Sequence, residues 1–522
     1  MSKMDFSKIE LNEEFKRALE LMENTNKNVF ITGKAGTGKS TLLEYFRDTT
    51  QKKIVVLAPT GVAALNVHGE TIHSFFGFKP DVTIDKIEKI PPKDTKIYKE
   101  LDTIVIDEIS MVRADLLDCV DKFLRLNGKN VNEPFGGIQM IFIGDLYQLP
   151  PVVTANEKKI FTEHYESPYF FDSNVFKDIS LEFVELEKVY RQKDEKFIEL
   201  LNQIRNNTIT EENLNLLNSR VGAEFHHNKD EFVVYLTTLN EMAYKINNEY
   251  LNRLPGKLYQ WIAEIQGEFD RNSLPADYEL NIKPGAQVMM LNNDPQGRWV
   301  NGSLGRVLKV RYSRKEECVV IDVQFQDGNK EYVKPFSWGL FHFMYNEETK
   351  KIETETVGSF TQYPLKLAWA VTIHKSQGKT FDKVIVDVGR GTFAGGQVYV
   401  ALSRCTSFEG ISLKKPIRKS HIFTDWRIVR FLTRYQYKIA EKEMSVDEKI
   451  KIINQALKEN KRLEIIYLKP NDEKSRRVIM PIEVGEQNFQ GKPFVGVRAY
   501  CEKRNEERVF RIDRILQMKI VG

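Results

Sequence analysis

The 522-residue chain has few cysteines, no long apolar run and almost no excess of charge of one sign. Its four cysteines, Cys119, Cys318, Cys405 and Cys501, lie far apart, which excludes the paired spacing of a zinc or redox motif and favours a reducing cellular interior. No apolar stretch approaches the length of a membrane span, and the first residues are charged rather than signal-like. We therefore expect a cytoplasmic protein without a membrane partner.

The charges nearly balance, with 77 lysines and arginines against 73 aspartates and glutamates and a net charge of +4. That surplus is too small to indicate a nucleic-acid partner by itself. A hydrophobic content of 41% with 11% aromatic residues indicates a globular chain rather than a disordered one. The length exceeds one ordinary core and predicts several domains.

The first part of the chain alternates between helical and strand patterns. Residues 1–27 carry a helical pattern with Phe15, Leu19 and Met22 on one face. Short apolar runs that end at polar or glycine turns follow it, at residues 29–32, 54–58, 103–106 and 140–143. This alternation predicts an α/β domain with a parallel sheet over residues 1–178. Residues 77–100, with several prolines and lysines, interrupt the alternation and are expected to form a surface insertion.

A second alternating region is expected over residues 179–445. Within it, residues 305–358 contain short strand patterns such as 305–312 and 318–325, separated by charged turns, which predicts a small β-barrel insertion. Residues 427–450 are helical and charged. They are expected to bridge to a separate final domain, taken as residues 446–522.

Residues 33–40, GKAGTGKS, fill the P-loop template directly after an apolar strand pattern and before a helical one. Glycine tolerates the dihedrals that turn backbone N–H groups toward a phosphate. Lys39 would reach the β and γ phosphates, and the Ser40 hydroxyl would bind magnesium. The nucleotide-binding residues predicted here are Gly36, Thr37, Gly38, Lys39, Ser40 and Thr41.

Two carboxylates and a glutamine follow later strand patterns. Asp107 and Glu108 end the apolar run 104–106. Asp107 suits the holding of magnesium, and Glu108 can orient and deprotonate an attacking water. Gln148, in GDLYQLPP after the next strand pattern, is placed to sense the γ phosphate. Taken alone, each segment would read only as an ordinary turn.

Two arginines that follow the first alternating region are candidates for transition-state stabilisation. Arg191 lies in VYRQ and Arg404 in YVALSR. A nucleotide held between two α/β domains needs cations from the second domain to offset the charge of the transition state. A lone arginine is more often a solvated surface residue.

Two stretches have the composition of a binding site for single-stranded nucleic acid. Residues 58–61 with 71–76, and residues 370–378, combine hydroxyls, glycine, histidine and lysine near strand ends. Phosphate contacts together with aromatic platforms bind single strands in this way. The adjacent rings Phe75 and Phe76 could instead be core residues, and for one of the two we expect that.

The set of motifs resembles the Pif-one family of superfamily 1B DNA helicases, close kin of RecD. The resemblance runs from residue 10 to residue 410 in the family's order. Its matching blocks are residues 28–40, 58–76, 104–111, 135–152, 189–192, 300–307, 364–382 and 398–407.

The resemblance implies two RecA-like domains, a wedge near residues 77–100 and an SH3-like barrel at 305–358. It implies ATP and Mg²⁺ as cofactors and 5′-to-3′ motion on single-stranded DNA, with tailed or forked duplexes as substrates. G-quadruplexes and RNA–DNA hybrids are further possible partners. Family roles in DNA repair, recombination and telomere maintenance, a nucleoid-associated location and a monomer off DNA are also implied.

Residue roles carry over motif by motif. The catalytic set is Lys39, Glu108, Gln148, Arg191 and Arg404, and Gly378 joins the nucleotide site. The implied DNA contacts are Thr60, Gly61, His73, Phe75, Asn301, Thr372, His374 and Lys375.

One position departs from the family pattern. The family's adenine-reading glutamine would fall at Phe15. Adenine would then be recognised either less strictly or by stacking on the aromatic ring.

The segment from residue 446 onward resembles a WYL domain, a β-rich and often regulatory module. It carries a surplus of five basic residues over acidic ones, so it is the relatively basic part of the chain. The tripeptide that names the family reads Val495, Gly496 and Val497 here. Arg477 and Arg498 are expected to contact nucleic acid, with an ordinary solvated surface as the equal alternative.

Two rival functions stay open at this point. One is a DNA-bound regulator in which ATP acts as a switch and the tail senses a ligand. The other is a translocase that strips proteins from single strands without unwinding much duplex. It stays open because the motor motifs do not indicate how efficiently the wedge separates the two strands. An RNA motor is less favoured.

Overall fold

The structure is a computed structural model that describes residues 11–79, 81–153, 161, 163–225, 231–267, 274–389, 391–392, 394–489 and 492–521. The first ten residues of the expected N-terminal helix and Pro80 of the expected insertion lie outside this range. The chain divides into two compact units, one of residues 1–202 and 210–422 and one of residues 203–209 and 423–522. The α-helices of the described part span Glu13–Asn24, Lys39–Thr49, Gly61–Asn66, Ile72–Phe75, Lys96–Glu100, Ala114–Asn127, Glu195–Arg205, Glu211–Asn218, Asn240–Arg253, Gln397–Leu402, Trp426–Glu443 and Val446–Glu459.

The first sheet of the larger unit is parallel, as predicted. Its strands are β1 (Asn28–Gly33), β2 (Ile54–Ala58), β3 (Glu70–Thr71), β4 (Thr103–Ile106), β5 (Gln139–Ile143) and β6 (Leu181–Leu186), in the order β3-β2-β4-β5-β1-β6. The central strands β4 and β5 are buried at every residue, because helices cover both faces of such a sheet. The carboxyl ends of β1, β4 and β5 therefore meet at one edge, where the P-loop, Asp107 and Gly144 follow them.

This sheet extends past the expected domain boundary at residue 178. Strand β6 pairs in parallel with β1 over its whole length, from Leu181 beside Asn28 to Leu186 beside Gly33. Its residues Phe183 and Val184, which point to opposite faces of the sheet, are both buried. The chain thus completes the first sheet before it enters the second domain.

The expected insertion at residues 77–100 forms short helical turns rather than strands. They are the 3-10 turns Ile84–Lys86 and Pro92–Thr95 and the helix Lys96–Glu100. Tyr98 of this helix is 7% exposed. Its ring packs edge-on against Phe123, with centroids 4.8 Å apart, so the insertion is anchored to the core of the first domain.

The second sheet has four parallel strands in the order β18-β7-β19-β20. They are β7 (Val234–Thr237), β18 (Ala370–Thr372), β19 (Val384–Asp387) and β20 (Ile411–Leu413). The two RecA-like layers predicted from the motifs are thus both present, since each parallel sheet is flanked by helices along the chain.

A large antiparallel insertion lies between β7 and β18. Its strands are β8 (Tyr259–Ile262), β9 (Glu264–Gly267), β10 (Glu279–Ile282), β11 (Gln287–Met290), β12 (Leu304–Ser313), β13 (Cys318–Phe325), β14 (Lys330–Val333), β15 (Phe336–Asn346), β16 (Lys351–Gln362) and β17 (Leu365–Leu367). The predicted strands at 305–312 and 318–325 are confirmed, but the predicted range of the insertion, 305–358, is too short. Strand β11 pairs with both β12 and β17, and β9 pairs with β16, so the flanking segments belong to the same β structure.

The smaller unit contains a five-stranded antiparallel sheet in the order β24-β23-β22-β21-β25. Its strands are β21 (Arg462–Leu468), β22 (Lys474–Phe489), β23 (Lys492–Cys501), β24 (Glu506–Arg511) and β25 (Ile515–Val521). The expected bridging helix at 427–450 is two helices. The break comes at Ser445, whose hydroxyl accepts the N–H of Glu448 while the Glu448 carboxylate accepts the N–H of Ser445, a capping box that starts a new helix.

Among the described residues, no helix is both long and apolar enough to span a membrane.

Candidate functional site

The P-loop follows β1 and opens the helix Lys39–Thr49. Gly36 and Gly38 have φ angles of 81° and 88°, in the left-handed region that favours glycine. Gly38 is the N-cap of the helix, so the first N–H groups of the helix point out of its end and can bind an anion. Lys39 Nζ donates to the carbonyl oxygens of Gly33 at 2.8 Å and Lys34 at 3.0 Å. The loop is therefore already folded as a phosphate cradle.

A cavity of about 560 Å³ opens in front of this loop. The P-loop, Glu108 and Gln148 line it from the first RecA-like domain, and Gly378, Thr380 and Arg404 line it from the second. All of these residues belong to the larger unit. The residues that the sequence assigned to nucleotide binding, except Asp107, thus face one cavity between two sheets.

Asp107 and Glu108 follow β4 at the floor of the site. Glu108 has a φ angle of 50°, an uncommon conformation for this residue, of the kind that clusters at functional sites. Burial, and next the neighbouring Asp107, raise the pKa of Glu108 above its ordinary value, while Lys39 and Arg404 oppose that shift. Burial likewise raises the pKa of Asp107. Burial and mutual repulsion thus favour the protonated form of these two carboxyl groups, and a bound cation would keep them ionised.

The donor set at this point fits Mg²⁺. The Ser40 hydroxyl and the Asp107 carboxylate supply hard oxygen ligands, which this ion prefers, and Mg²⁺ usually completes its shell with water and substrate phosphates. No group of three or more histidine, cysteine or acidic side chains in the described ranges is suited to hold a metal ion.

Both candidate arginines reach the interface between the two RecA-like domains. Arg191 donates to the carbonyl oxygens of Ser403 and Gly378, each at 3.3 Å. Arg404 is 1% exposed and donates through Nε to the Val400 carbonyl at 2.9 Å. Burial, and then the neighbouring Arg191, lower the pKa of Arg404. Two cations held this close repel each other, so an anion between them would be strongly favoured.

The sequence missed three residues that join distant segments of the chain at this site. The Tyr399 hydroxyl accepts the N–H of Ala35 in the P-loop at 3.0 Å. Gln192 donates to the carbonyl oxygens of Ser403 and Cys405, each at 3.0 Å. Gln377 donates to the side chains of Glu108 and Gln148. Each pair is separated by more than two hundred residues, and no local pattern signals it.

Phe15 lies where the nucleotide cavity meets the core. It is 3% exposed and packs with Leu42, Leu43 and Phe46. It also lines the cavity beside Gly38, where an added Cβ would lie 3.4 Å from the ring. An aromatic face, rather than an amide, is therefore what this position offers to a bound base.

The predicted DNA contacts divide between the two RecA-like domains. In the first, Thr60 is exposed at the N-cap of the helix Gly61–Asn66. In the second, Lys375 is exposed and His374 half-buried in the turn that follows β18. Thr372 is buried, and its hydroxyl accepts the N–H of Lys375 at 3.4 Å, so it shapes the turn.

Asn301 lies between these two groups. Its amide donates to Asn66 at 2.9 Å, and Lys379 Nζ donates to its side-chain oxygen at 2.5 Å. Burial lowers the pKa of Lys379 to about 8. Burial, followed by the charges of Lys379 and Lys375, lowers the pKa of nearby Lys366 to about 7. The sequence did not single out Lys366 or Lys379, two partly buried lysines in which burial favours the neutral amine until an anion such as a phosphate lies beside them.

The prediction that Phe75 offers a stacking platform is not met in this structure. Phe75 and Phe76 are 6% and 4% exposed, and the Phe75 ring packs edge-on against Phe76, Tyr98 and Phe343. Both rings are core, because they close the contact with the helix Lys96–Glu100. His73 is half-buried, and burial lowers its pKa.

In the smaller unit, Arg477 and Arg498 do not form one patch. Arg477 is 6% exposed, and its Nε has no hydrogen-bond partner among the residues that the structure describes. It lines a cavity of about 420 Å³ together with Tyr467, Lys469 and Arg508. Arg498 lies on the opposite side of the sheet, half-exposed between Glu483 and Glu507. Its charge is therefore largely neutralised locally.

Comparison with known proteins agrees with this geometry. The PIF1-like helicase family matches residues 10–215, and the WYL domain family matches residues 448–520. The chain is 32% identical over 405 residues to the ATP-dependent DNA helicase Pif1 of Campylobacter jejuni, covering 73% of this chain and 87% of that protein.

Solved structures of a Bacteroides Pif1 are similar as well. Its complex with ADP-AlF4 superposes with a TM-score of 0.75 at 37% identity, covering 82% of this chain and 98% of that one. Its complex with single-stranded DNA has a TM-score of 0.61 at 37% identity, with the same coverage.

Proposed function

Since this chain belongs to the PIF1-like helicase family, we propose that it is an ATP-hydrolysing DNA helicase that moves 5′ to 3′ on single-stranded DNA. One observation carries the proposal. The P-loop, Glu108 and Gln148 of one RecA-like domain and Arg404 of the other line a single cavity. A nucleoside triphosphate in this cavity is hydrolysed only when the two domains close around it and bring all of these residues to the phosphates. Hydrolysis can therefore be coupled to domain motion.

The hydrolytic residues act from the two sides of the cavity. The P-loop N–H groups and Lys39 hold the β and γ phosphates, and Glu108 orients the attacking water and takes its proton. Arg191 and Arg404 offset the charge that develops on the γ phosphate. Ser40 and Asp107 would hold Mg²⁺, which would neutralise phosphate charge when bound. Gln148 would sense the γ phosphate beside Glu108.

DNA binding connects to this site through the turn after β18. Thr60 and Gly61 in the first domain, and His374 and Lys375 in the second, would each hold backbone phosphates, with Asn301 between them. Opening and closing of the nucleotide cavity would change the spacing of the two grips and move the strand by one step per hydrolysis. The insertion near residues 77–100 would then act as the wedge.

We propose three functional domains close to the predicted ones. The first would run from residue 1 to the end of β6 rather than to 178, because β6 completes the first sheet. The second would end before residue 423, where the smaller unit begins. The WYL-type tail would be an accessory module for nucleic acid or regulation, supported by a cavity in which the buried Arg477 lies among the charged side chains of Lys469, Arg508, Glu506 and Glu507.

For partners, we propose tailed and forked duplex DNA first, with G-quadruplexes and RNA–DNA hybrids as further substrates. We also propose a cytoplasmic, nucleoid-associated location and a monomer in the absence of DNA. Sedimentation with and without a single-stranded oligonucleotide checks the last point, and a dimer without DNA would contradict it.

The first test is hydrolysis of ATP with and without single-stranded DNA, in the presence of Mg²⁺. The proposal expects a basal rate that rises strongly with DNA and disappears with EDTA. Hydrolysis that stays slow at saturating DNA would instead favour a DNA-bound regulator in which ATP is a switch.

Lys375→Ala should weaken DNA binding through loss of one phosphate contact. The affinity for oligothymidylate should fall at low salt, and the slope of log K against log salt should become shallower by about 0.7. Lys196→Ala is the matched control, since Lys196 is an exposed lysine on the helix Glu195–Arg205. An unchanged slope in Lys375→Ala would remove this residue from the DNA path.

A further inference from the structure

Gln377 makes a contact that hydrolysis and DNA binding, as described so far, do not need. Its side-chain amide Nε2 donates to Glu108 Oε2 at 3.1 Å and to Gln148 Oε1 at 3.0 Å. Gln148 in turn donates to Asp145 Oδ2 at 3.2 Å. One amide of the second RecA-like domain thus holds both the predicted base and the predicted phosphate sensor of the first.

Gln377 also ends the turn that carries the predicted DNA contacts. Its backbone N–H donates to the His374 carbonyl at 3.1 Å, and the Ser376 hydroxyl donates to the Ile373 carbonyl at 2.7 Å. Because these bonds tie residues 373–377 into one short rigid turn, a displacement of Lys375 by a bound phosphate would carry the Gln377 side chain with it.

The contact restrains Glu108 in a specific way. A general base needs a free oxygen lone pair directed at the water whose proton it accepts. Here Oε2 of Glu108 is occupied by the amide, and the Glu108 backbone is held at a φ angle of 50°. The other oxygen, Oε1, keeps its lone pairs, but the Gln377 amide fixes the direction in which the Glu108 carboxylate points.

We propose that Gln377 is a positioning residue that holds Glu108 away from the attacking water until single-stranded DNA engages the turn at residues 372–375. The inference rests on the proposed function, because it requires hydrolysis that DNA stimulates. It adds to that function a built-in restraint on idle hydrolysis, made by a residue that touches no reacting atom.

The restraint has a reciprocal consequence. If DNA binding favours a state in which the Gln377–Glu108 bond is broken, the bond must oppose DNA binding by the same factor. Loss of the bond should therefore raise basal hydrolysis and tighten DNA binding together. A purely structural role for Gln377 would produce neither change.

The test compares the wild type with Gln377→Met, which keeps the length of the side chain and removes its donor. We expect the basal ATPase rate to rise about fivefold or more, and the affinity for oligothymidylate without nucleotide to rise by a similar factor. The maximal DNA-stimulated rate should not rise, so the stimulation ratio should fall by that factor.

Gln287→Met is the matched control, because Gln287 is a buried amide that also makes two hydrogen bonds, to the Val233 and Ala368 carbonyl oxygens, and does not line the nucleotide cavity. It should not raise the basal rate. A basal rate of Gln377→Met that is unchanged, or that falls together with the stimulated rate, would overturn the inference while leaving the helicase function intact. A wild type that DNA does not stimulate would overturn both.

Discussion

Lys39→Ala should lower the ATPase rate by about 10²–10³-fold while leaving the affinity for single-stranded DNA nearly unchanged. In the structure, Lys39 Nζ is held against the P-loop by the Gly33 and Lys34 carbonyl oxygens, at the mouth of the anion site that the helix N-terminus forms. Its charge stabilises the phosphates and the charge that develops as the γ phosphate leaves. The DNA contacts, at Lys375 and around Asn301, lie on other segments, so they should survive the substitution.

The comparison needs steady-state hydrolysis at saturating DNA and fluorescence anisotropy with a labelled oligonucleotide. Lys34→Ala is a suitable control, since it removes the same charge from the same loop at a side chain that does not line the nucleotide cavity. Loss of both hydrolysis and DNA binding in Lys39→Ala, with Lys34→Ala unaffected, would contradict the role assigned to Lys39.

Arg404→Ala should lower kcat by about 10³-fold or more, with a small change in KM for ATP. Arg404 is buried, and the nearby Arg191 repels it. Both effects destabilise the charged guanidinium, and the negative charge that develops on the γ phosphate would offset them. A cation that acts on the charge of the transition state affects kcat, whereas one that binds the ground state equally well affects KM. Arg404→Lys should recover part of the rate, because a lysine keeps the charge but not the planar fork of donors.

Arg404 also donates to backbone and side-chain oxygens at Val400 and Ser403, so structural loss has to be separated from lost catalysis. Arg220→Ala provides the control, since Arg220 donates to the Ile411 and Glu409 carbonyl oxygens of the same domain and does not line the cavity. If Arg404→Ala and Arg220→Ala melt at similar temperatures but only the first loses hydrolysis, the effect is catalytic. Equal losses of activity would contradict the assignment of Arg404.

The parts of the site that lie in continuous motifs were predictable from the sequence. The P-loop and the Asp107–Glu108 pair each follow an apolar strand, and parallel strands bring their carboxyl ends to one edge of a sheet. That rule needs only the alternation of strands and helices along the chain. The antiparallel strands at 305–312 and 318–325 were also predictable from local pattern, because charged turns separate them.

What could not be predicted depends on contacts between distant segments. Gln377 reaches Glu108 across 269 residues, and Tyr399 reaches Ala35 across 364, so neither leaves a local signal. The core position of Phe75 could not be predicted for a different reason. An aromatic pair beside a hydroxyl-rich turn has the same sequence pattern whether its rings face a base or the core. The insertion between β7 and β18 was underestimated because its first strands are short and half-exposed.

The central claim is a motor with a defined direction, and partial duplexes test it most directly. The substrates carry a single-stranded tail on either the 5′ or the 3′ side and are incubated with ATP and Mg²⁺. The account predicts unwinding of the 5′-tailed duplex only, and none with Lys39→Ala. Unwinding of the 3′-tailed duplex alone, or of neither substrate despite DNA-stimulated hydrolysis, would contradict it.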